Sequence, residues 1–431
     1  MQYQEHCFKI NGRISGWPVN YRIRTVANRT QAPKRGYRQA FNYYQRDITG
    51  TSGAKSKMVN DVTSGFLITK LFLLTPTRRL TIRHSHLSCK QKPMLVDFRS
   101  DTVTKPSKQM LEAMFQAPVG DDVFGEDPSI NELEKLAAEM FGMEAAIFCP
   151  SGTMTNQIAI KCHTQPGDEV ICDVTSHIYQ YEGGGIAFNS GASVKLLYGD
   201  RGRITARQVL ENINPDDVHK AHSSLVSLEN TSNRGGGSCY EIEDIKSIRK
   251  VCDENNLKLH LDGARLFNAL VAKNQSPKEY GELFHSISIC LSKSLGCPVG
   301  SLLLGTKDFI KKARRIRKVF GGGMRQAGFL AAAGIYALQN NVERLNQDHL
   351  HAKQIEEALS KKDFVTEVFP VETNIIIFSV TEPYTAKTLV TKLKEANILG
   401  YAIAPTQVRL VTHLDVTPEM VEKTIETIQA L

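Results

Sequence analysis

From Met94 onward the chain alternates short apolar runs with amphipathic stretches. The runs at 145–149, 169–172, 194–198, 224–228, 258–261, 286–290 and 301–304 have strand length, and polar or glycine residues bound them. Between them, apolar residues recur at helical spacing. Ile130, Leu133, Ala137, Met140 and Phe141 form one such face, with Asp127 as N-cap, Pro128 at the first helical position and Gly142 as the stop. Stretches 153–161 and 241–255 read as further helices. This alternation predicts an α/β fold: a mostly parallel sheet with helices on both faces. After Gly321-Gly322-Gly323, an Ala-rich helix over 326–338 leads out of a large domain spanning 94–340. Beyond it, helices mix with strands at 373–380 and 408–411, and a helix capped by Thr417 and Pro418 closes the chain. That pattern predicts a smaller α+β domain over 341–431.

Residues 1–93 follow neither period for long and are assigned no element. Of the 53 Lys and Arg residues, 17 fall here, against 3 of the 45 Asp and Glu, which leaves 36 and 42 for the remainder. The net charge of +8 therefore hides a basic extension on an acidic body. Three readings of the extension stay open. It is a mitochondrial transit peptide, Arg-rich and acid-poor, a disordered basic arm, or a stretch that a start at Met94 leaves out of a cytoplasmic protein. An acidic body argues against nucleic-acid binding outside residues 1–93. The nine cysteines show no C-x-x-C or Cys/His metal spacing, so reduced thiols and no metal are expected. No apolar run approaches the roughly 20 residues of a membrane span; the run at 66–74 is broken by Lys70.

The candidate chemistry lies where two apolar runs end. Lys258-Leu259-His260-Leu261 passes into Asp262-Gly263-Ala264-Arg265, and Ser286-Ile287-Ser288-Ile289-Cys290 into Leu291-Ser292-Lys293. Ligands of open parallel sheets sit at the carboxyl ends of strands. An acid and an amine delivered there suit pyridoxal 5′-phosphate (PLP), which needs a lysine for its Schiff base and an acid for its pyridinium nitrogen. Alone, each residue has an ordinary explanation: a solvated strand end for Lys293, an N-cap or an ion pair with Arg265 for Asp262. Gly152 and Thr153 follow a strand and open a helix, a setting for phosphate. His177, just past a strand, could stack on a ring, and Arg265, three residues past Asp262, could reach the cofactor's ring oxygen or the substrate carboxylate. His219 lies in a polar loop, where exposure is the default. Arg409, flanked by Val408 and Leu410, invites a buried partner such as a substrate carboxylate.

The stretches Phe98 to Thr104, Val119 to Asp122, Ser227 to Thr231, His260 to Arg265, Cys290 to Lys293, Gly321 to Gln326 and Val408 to His413 occur in this order. With them, residues 94–431 closely resemble the L-threonine aldolases of the low-specificity or L-allo type, which are fold-type I, transferase-like PLP enzymes. The resemblance implies that Lys293 holds PLP, Asp262 pairs with its ring nitrogen and His177 stacks on the ring. It implies that Gly152 and Thr153 hold the phosphate, while Lys318 and Arg325 approach the phosphate of a neighbouring subunit in a homotetramer with sites at dimer interfaces. Ser100, Arg265 and Arg409 would bind the substrate carboxylate, and His219 would lie near the substrate hydroxyl. Two positions depart from the pattern. Ser232 stands where His is frequent, and Ser294 where Gly usually follows the lysine.

The implied reaction is retro-aldol cleavage of L-threonine or L-allo-threonine to glycine and acetaldehyde, with His177 or His219 taking the hydroxyl proton. The alternatives are phenylserine-type cleavage, β-elimination, or PLP binding without turnover.

Overall fold

A computed structural model describes residues 94–431, together with the backbone of two strands nearer the start. Those strands, β1 (Gln4–Ile14) and β2 (Trp17–Ala27), pair antiparallel with Phe8 opposite Ile23 and Ile10 opposite Tyr21. This differs from the expectation of no element before Met94. Alternation at Phe8, Ile10 and Ile14, then at Trp17, Val19, Tyr21 and Ile23, is a strand pattern. The other readings of residues 1–93 fall outside the described residues.

The body starts with a short strand, β3 (Val96–Asp97). The large sheet then comprises β4 (Ala145–Cys149), β5 (Asp168–Asp173), β6 (Ser193–Leu197), β7 (His222–Glu229), β8 (Lys258–Gly263), β9 (Ser286–Cys290) and β10 (Ser301–Gly305). Its order is β4-β10-β9-β8-β7-β5-β6. All neighbours from β9 to β6 run parallel, and β10 alone is reversed, antiparallel to both β4 and β9. The central strands are buried on both faces, as the continuous apolar runs require. Helices Pro128–Phe141 and Gly328–Asn340 belong to the main core with Leu259, Leu261, Ile287 and Ile289. The first carries the predicted Asp127 cap and ends on Gly142 at φ 61°, a left-handed position where glycine costs little.

A second core gathers around the four-stranded antiparallel sheet of β11 (Val365–Val368), β12 (Ile375–Val380), β14 (Tyr401–Ala402) and β15 (Gln407–Val411). Between them in sequence lies β13 (Ile398–Leu399), which pairs parallel with β3, Val96 opposite Ile398. Val96 and Phe98 are buried in this second core, and the Phe98 carbonyl accepts the Val411 N–H at 2.9 Å. The first residues of the body therefore pack with the C-terminal layer. The motif Phe98-Arg99-Ser100-Asp101 is thereby carried across to the large sheet.

Among the described residues no helix is long and apolar enough to cross a membrane. Seven cysteines are described there, all unpaired.

Phe98 is fully buried. Phe98→Ala should cost about 3–5 kcal/mol of stability through lost burial and the cavity left behind. Urea unfolding measures this, and an unchanged midpoint would show that β3 does not anchor the layer.

Candidate active site

β4, β5, β7, β8 and β9 all point one way, so their carboxyl ends share an edge. β8 ends in Asp262, 3 % exposed. Its Oδ1 accepts the Ala264 N–H at 3.1 Å and its Oδ2 accepts the Asn156 side-chain amide at 2.9 Å. The same amide nitrogen donates to Glu182 Oε1 at 2.9 Å. Glu182 also takes the Gln157 amide at 2.7 Å and meets His177 Nδ1 at 3.0 Å. His177, Glu182 and Asp262 each offer an atom within 4.8 Å of the others. These are atom types that bind cations, but amide donors from Asn156 and Gln157 already occupy the two carboxylates.

Burial works against a proton on His177, yet the Glu182 bond and the Asp262 charge outweigh it and raise its pKa. The Lys293 charge opposes that rise, and it also acts on Asp101. Lys293, three residues past Cys290 at the end of β9, thus shares one electrostatic neighbourhood with His177 and Asp262. Asp101 is held well below the usual carboxylate range; burial would raise it, but Arg265 dominates the outcome. Arg265 Nε and Nη2 donate to it at 2.7 and 2.8 Å. Ser294 donates to Asp101 Oδ2 at 2.8 Å, so the serine after the lysine ties the lysine loop to this ion pair. Ser100, adjacent, caps a short turn by accepting the Thr102 N–H.

Glu229 ends β7 in register with Asp262. Its two oxygens accept the backbone N–H groups of His177 and Asn233, both at 2.8 Å. Burial, then the Asp262 charge, push its carboxyl up to about 7. Asn233 Oδ1 in turn accepts Arg409 Nη1 at 2.8 Å, while Nη2 reaches the Arg99 carbonyl at 3.2 Å. Arg409 Nε is buried with no partner among the described residues.

Gly152 opens the Gly152–His163 helix beneath Ser151, whose hydroxyl accepts the Met154 N–H. The first N–H groups of a helix lack intrahelical acceptors, which suits them to phosphate. A Cβ at Gly152 would stand 2.5 Å from Cys290 Sγ, so only glycine leaves this turn its close approach to β9.

Other expected residues stand elsewhere. His219 has an 85 % exposed side chain, bonded to Asp217 at 2.8 Å. It precedes the amino end of β7, whose eight residues span roughly 23 Å at the usual strand rise. The direction of β7 puts it at the opposite edge from Asp262, so within one chain it stands apart from the Asp262 cluster. Arg325 is held by Asp121 at 2.8 Å and lies over Phe124. No hydrogen bond or ion pair joins Lys318 or Arg325 to the cluster within one chain. Asn156, Glu182, Glu229 and Asp101 were not singled out from sequence. Asp101 and Glu229 lie inside recognised motifs, and that was their available signal.

An acid, a glycine-cradled helix end and an orphaned guanidinium nitrogen all fit PLP and an amino-acid carboxylate. Fold and site define the class, a PLP-dependent enzyme of fold type I. The Beta-eliminating lyase family profile matches residues 97–383. The low specificity L-threonine aldolase of Escherichia coli (strain K12) is 47 % identical over 326 residues, 75 % of this chain and 96 % of that protein. The probable low-specificity L-threonine aldolase 2 of Arabidopsis thaliana is 41 % identical over 334 residues, 76 % of this chain and 94 % of that protein. A Leishmania major threonine aldolase structure superposes with a TM-score of 0.70 at 21 % identity, covering 78 % of this chain and 99 % of that one, a likeness of fold alone. The chain belongs to the Beta-eliminating lyase family, among its low-specificity L-threonine aldolases, which are PLP-dependent carbon–carbon lyases.

The raised Glu229 carboxyl gives stability a pH dependence of definite sign. Its folded value of about 7 lies above its ordinary 4.5, so the contribution is complete below about 4.5 and is lost as pH rises through about 7. Glu229→Gln cannot ionise, so between about pH 5 and 8 it should lose less stability than wild type, by on the order of 1–3 kcal/mol. Urea unfolding at both pH values tests this; a parallel fall in the two proteins would refute it.

Proposed function

We propose that this enzyme cleaves L-threonine and L-allo-threonine to glycine and acetaldehyde by a retro-aldol reaction at the β7–β8–β9 edge. The reading is supported by one arrangement: β8 runs into Asp262, and its parallel neighbour β9 runs at the same edge into the Lys293 loop, which Ser294 ties to Asp101. When bound, PLP supplies a sink for the electron pair released as the substrate Cα–Cβ bond breaks. Lys293 Nζ holds the cofactor, and Asp262 keeps its ring nitrogen protonated. His177 lies against the ring, and the N–H groups of Gly152 and Thr153 take the phosphate. The substrate carboxylate goes to Arg409 Nε, assisted by Arg265 Nη1 and Ser100. With Nδ1 of His177 on Glu182, its Nε2 is free to take the β-hydroxyl proton, directly or through water.

Lys318 and Arg325 serve the phosphate of a neighbouring subunit in a homotetramer, and His219 serves the substrate hydroxyl in a neighbour's site. We assign the enzyme to the cytoplasm, in threonine breakdown and glycine formation, with mitochondria the alternative if residues 1–93 direct import.

Product analysis with L-threonine, L-allo-threonine and phenylserine tests the reaction. Glycine and acetaldehyde are expected from the first two, whereas a 2-oxo acid with ammonia would mean β-elimination. Lys293→Ala should lose both turnover and the visible absorbance that wild type gains with PLP. Retained absorbance with full turnover would remove Lys293 from its role. Arg409→Gln should keep the absorbance and raise KM by roughly 10–100-fold, the range expected for a lost charge-assisted contact to substrate. An unchanged KM would place the carboxylate elsewhere.

A further inference from the structure

Beneath the site, one face of the sheet carries a polar stripe. On β8, His260 and Asp262 are two residues apart and share a face; on β9, Ser286 and Ser288 stand opposite them in register. The Gly152–His163 helix covers the stripe with Asn156 and, two turns on, His163. The contacts run in series. His163 Nε2 lies 2.8 Å from Ser286 Oγ, Ser286 Oγ 2.8 Å from His260 Nδ1, and His260 Nε2 3.2 Å from Asn156 Oδ1. Asn156 Nδ2 then meets Asp262 Oδ2.

The proton positions follow from the far end. Asn156 faces two carboxylates, Glu182 and Asp262, each 2.9 Å from the same nitrogen. Only an NH2 group satisfies both, so Oδ1 must point at His260 and accept from it. His260 Nε2 therefore carries hydrogen. Burial pushes His260 down to about 4, so the ring is neutral and its Nδ1 is bare. Ser286 must donate to that nitrogen, and its oxygen then accepts from His163 Nε2. One contact pulls the other way: the Ser286 carbonyl lies 3.2 Å from His260 Nδ1 and would favour hydrogen there. That tautomer would set two lone pairs against each other at Asn156, or turn the amide oxygen onto two carboxylates. Either costs more than one imperfect carbonyl contact.

We infer that Asn156 and His260 are positioning residues for Asp262, the last links of a one-way hydrogen-bond chain that begins at His163 and fixes the carboxylate facing the cofactor ring nitrogen. The inference rests on the proposed role of Asp262. Asn156 holds Oδ2 while the Ala264 N–H holds Oδ1, so the carboxylate plane is set from both sides before any ligand arrives.

The test uses the full chain, labelled with 15N-histidine and loaded with PLP, with His260→Leu assigning the resonance. Hydrogen on Nε2 and none on Nδ1 is expected; hydrogen on Nδ1, or on both, overturns the chain. PLP titrations then compare variants. Asn156→Leu and His260→Leu should each weaken PLP roughly tenfold, as expected for one charge-assisted hydrogen bond, and shift the pH midpoint of the visible band. His260→Gln, which offers a donor and an acceptor near the same places, should restore both. Equal affinity and equal midpoints in all three variants overturn the inference, and so does a loss that His260→Gln fails to rescue. If Asp262 has another role, wild type shows the expected tautomer while Asp262→Asn leaves the visible band unmoved, a distinct outcome.

Discussion

Taking a carboxylate out of water costs several kcal/mol unless donors replace its hydration, and one edge of this sheet buries Asp101, Glu182, Glu229 and Asp262. The donors that meet this need come from many segments. Glu229 takes backbone N–H groups from the His177 turn and from Asn233. Glu182 takes two side-chain amides of the Gly152–His163 helix. Asp101 takes Arg265 and Ser294, each more than 160 residues away in sequence. Because an unpaired buried charge is more costly than a poorly packed loop, these needs fix the loops. His177, the lysine loop and, through Asn233, Arg409 are held in place by these buried acids.

The same reasoning explains what the sequence made legible. The sheet edge that holds Asp262 and the Lys293 loop could be located because strand runs end visibly, and a parallel sheet assigns meaning to their carboxyl ends. The Asp127 cap and the Gly142 stop are local, and they were readable for that reason. The reversal of β10 was not, since Ser301–Gly305 is apolar in either direction. Nor was the pairing of β3 with β13, which joins residues about 300 positions apart. Asn156, Glu182 and Glu229 escaped notice because a polar residue under a sheet looks like any helix or loop residue until its partners are known. His219 is the opposite case: only the resemblance singled it out, and the direction of β7 puts it at the other edge of its own chain.

Arg265 and Arg409 looked equivalent in sequence, each a candidate for the substrate carboxylate, but their surroundings separate them. Arg265 is neutralised by Asp101 in a two-pronged ion pair and has only Nη1 left over. Arg409 has no carboxylate in contact; its partners are the Asn233 amide oxygen and the Arg99 carbonyl. Burial, then the nearby Arg265 charge, lowers its pKa, the mark of a cation short of negative charge. Its Nε is buried and unpartnered. On the proposed reading, a carboxylate arriving there would gain a strong contact and would also relieve an unfavourable state that exists before it binds. Arg265 differs because its charge is already met by Asp101, so a ligand would find far less unmet charge there than at Arg409.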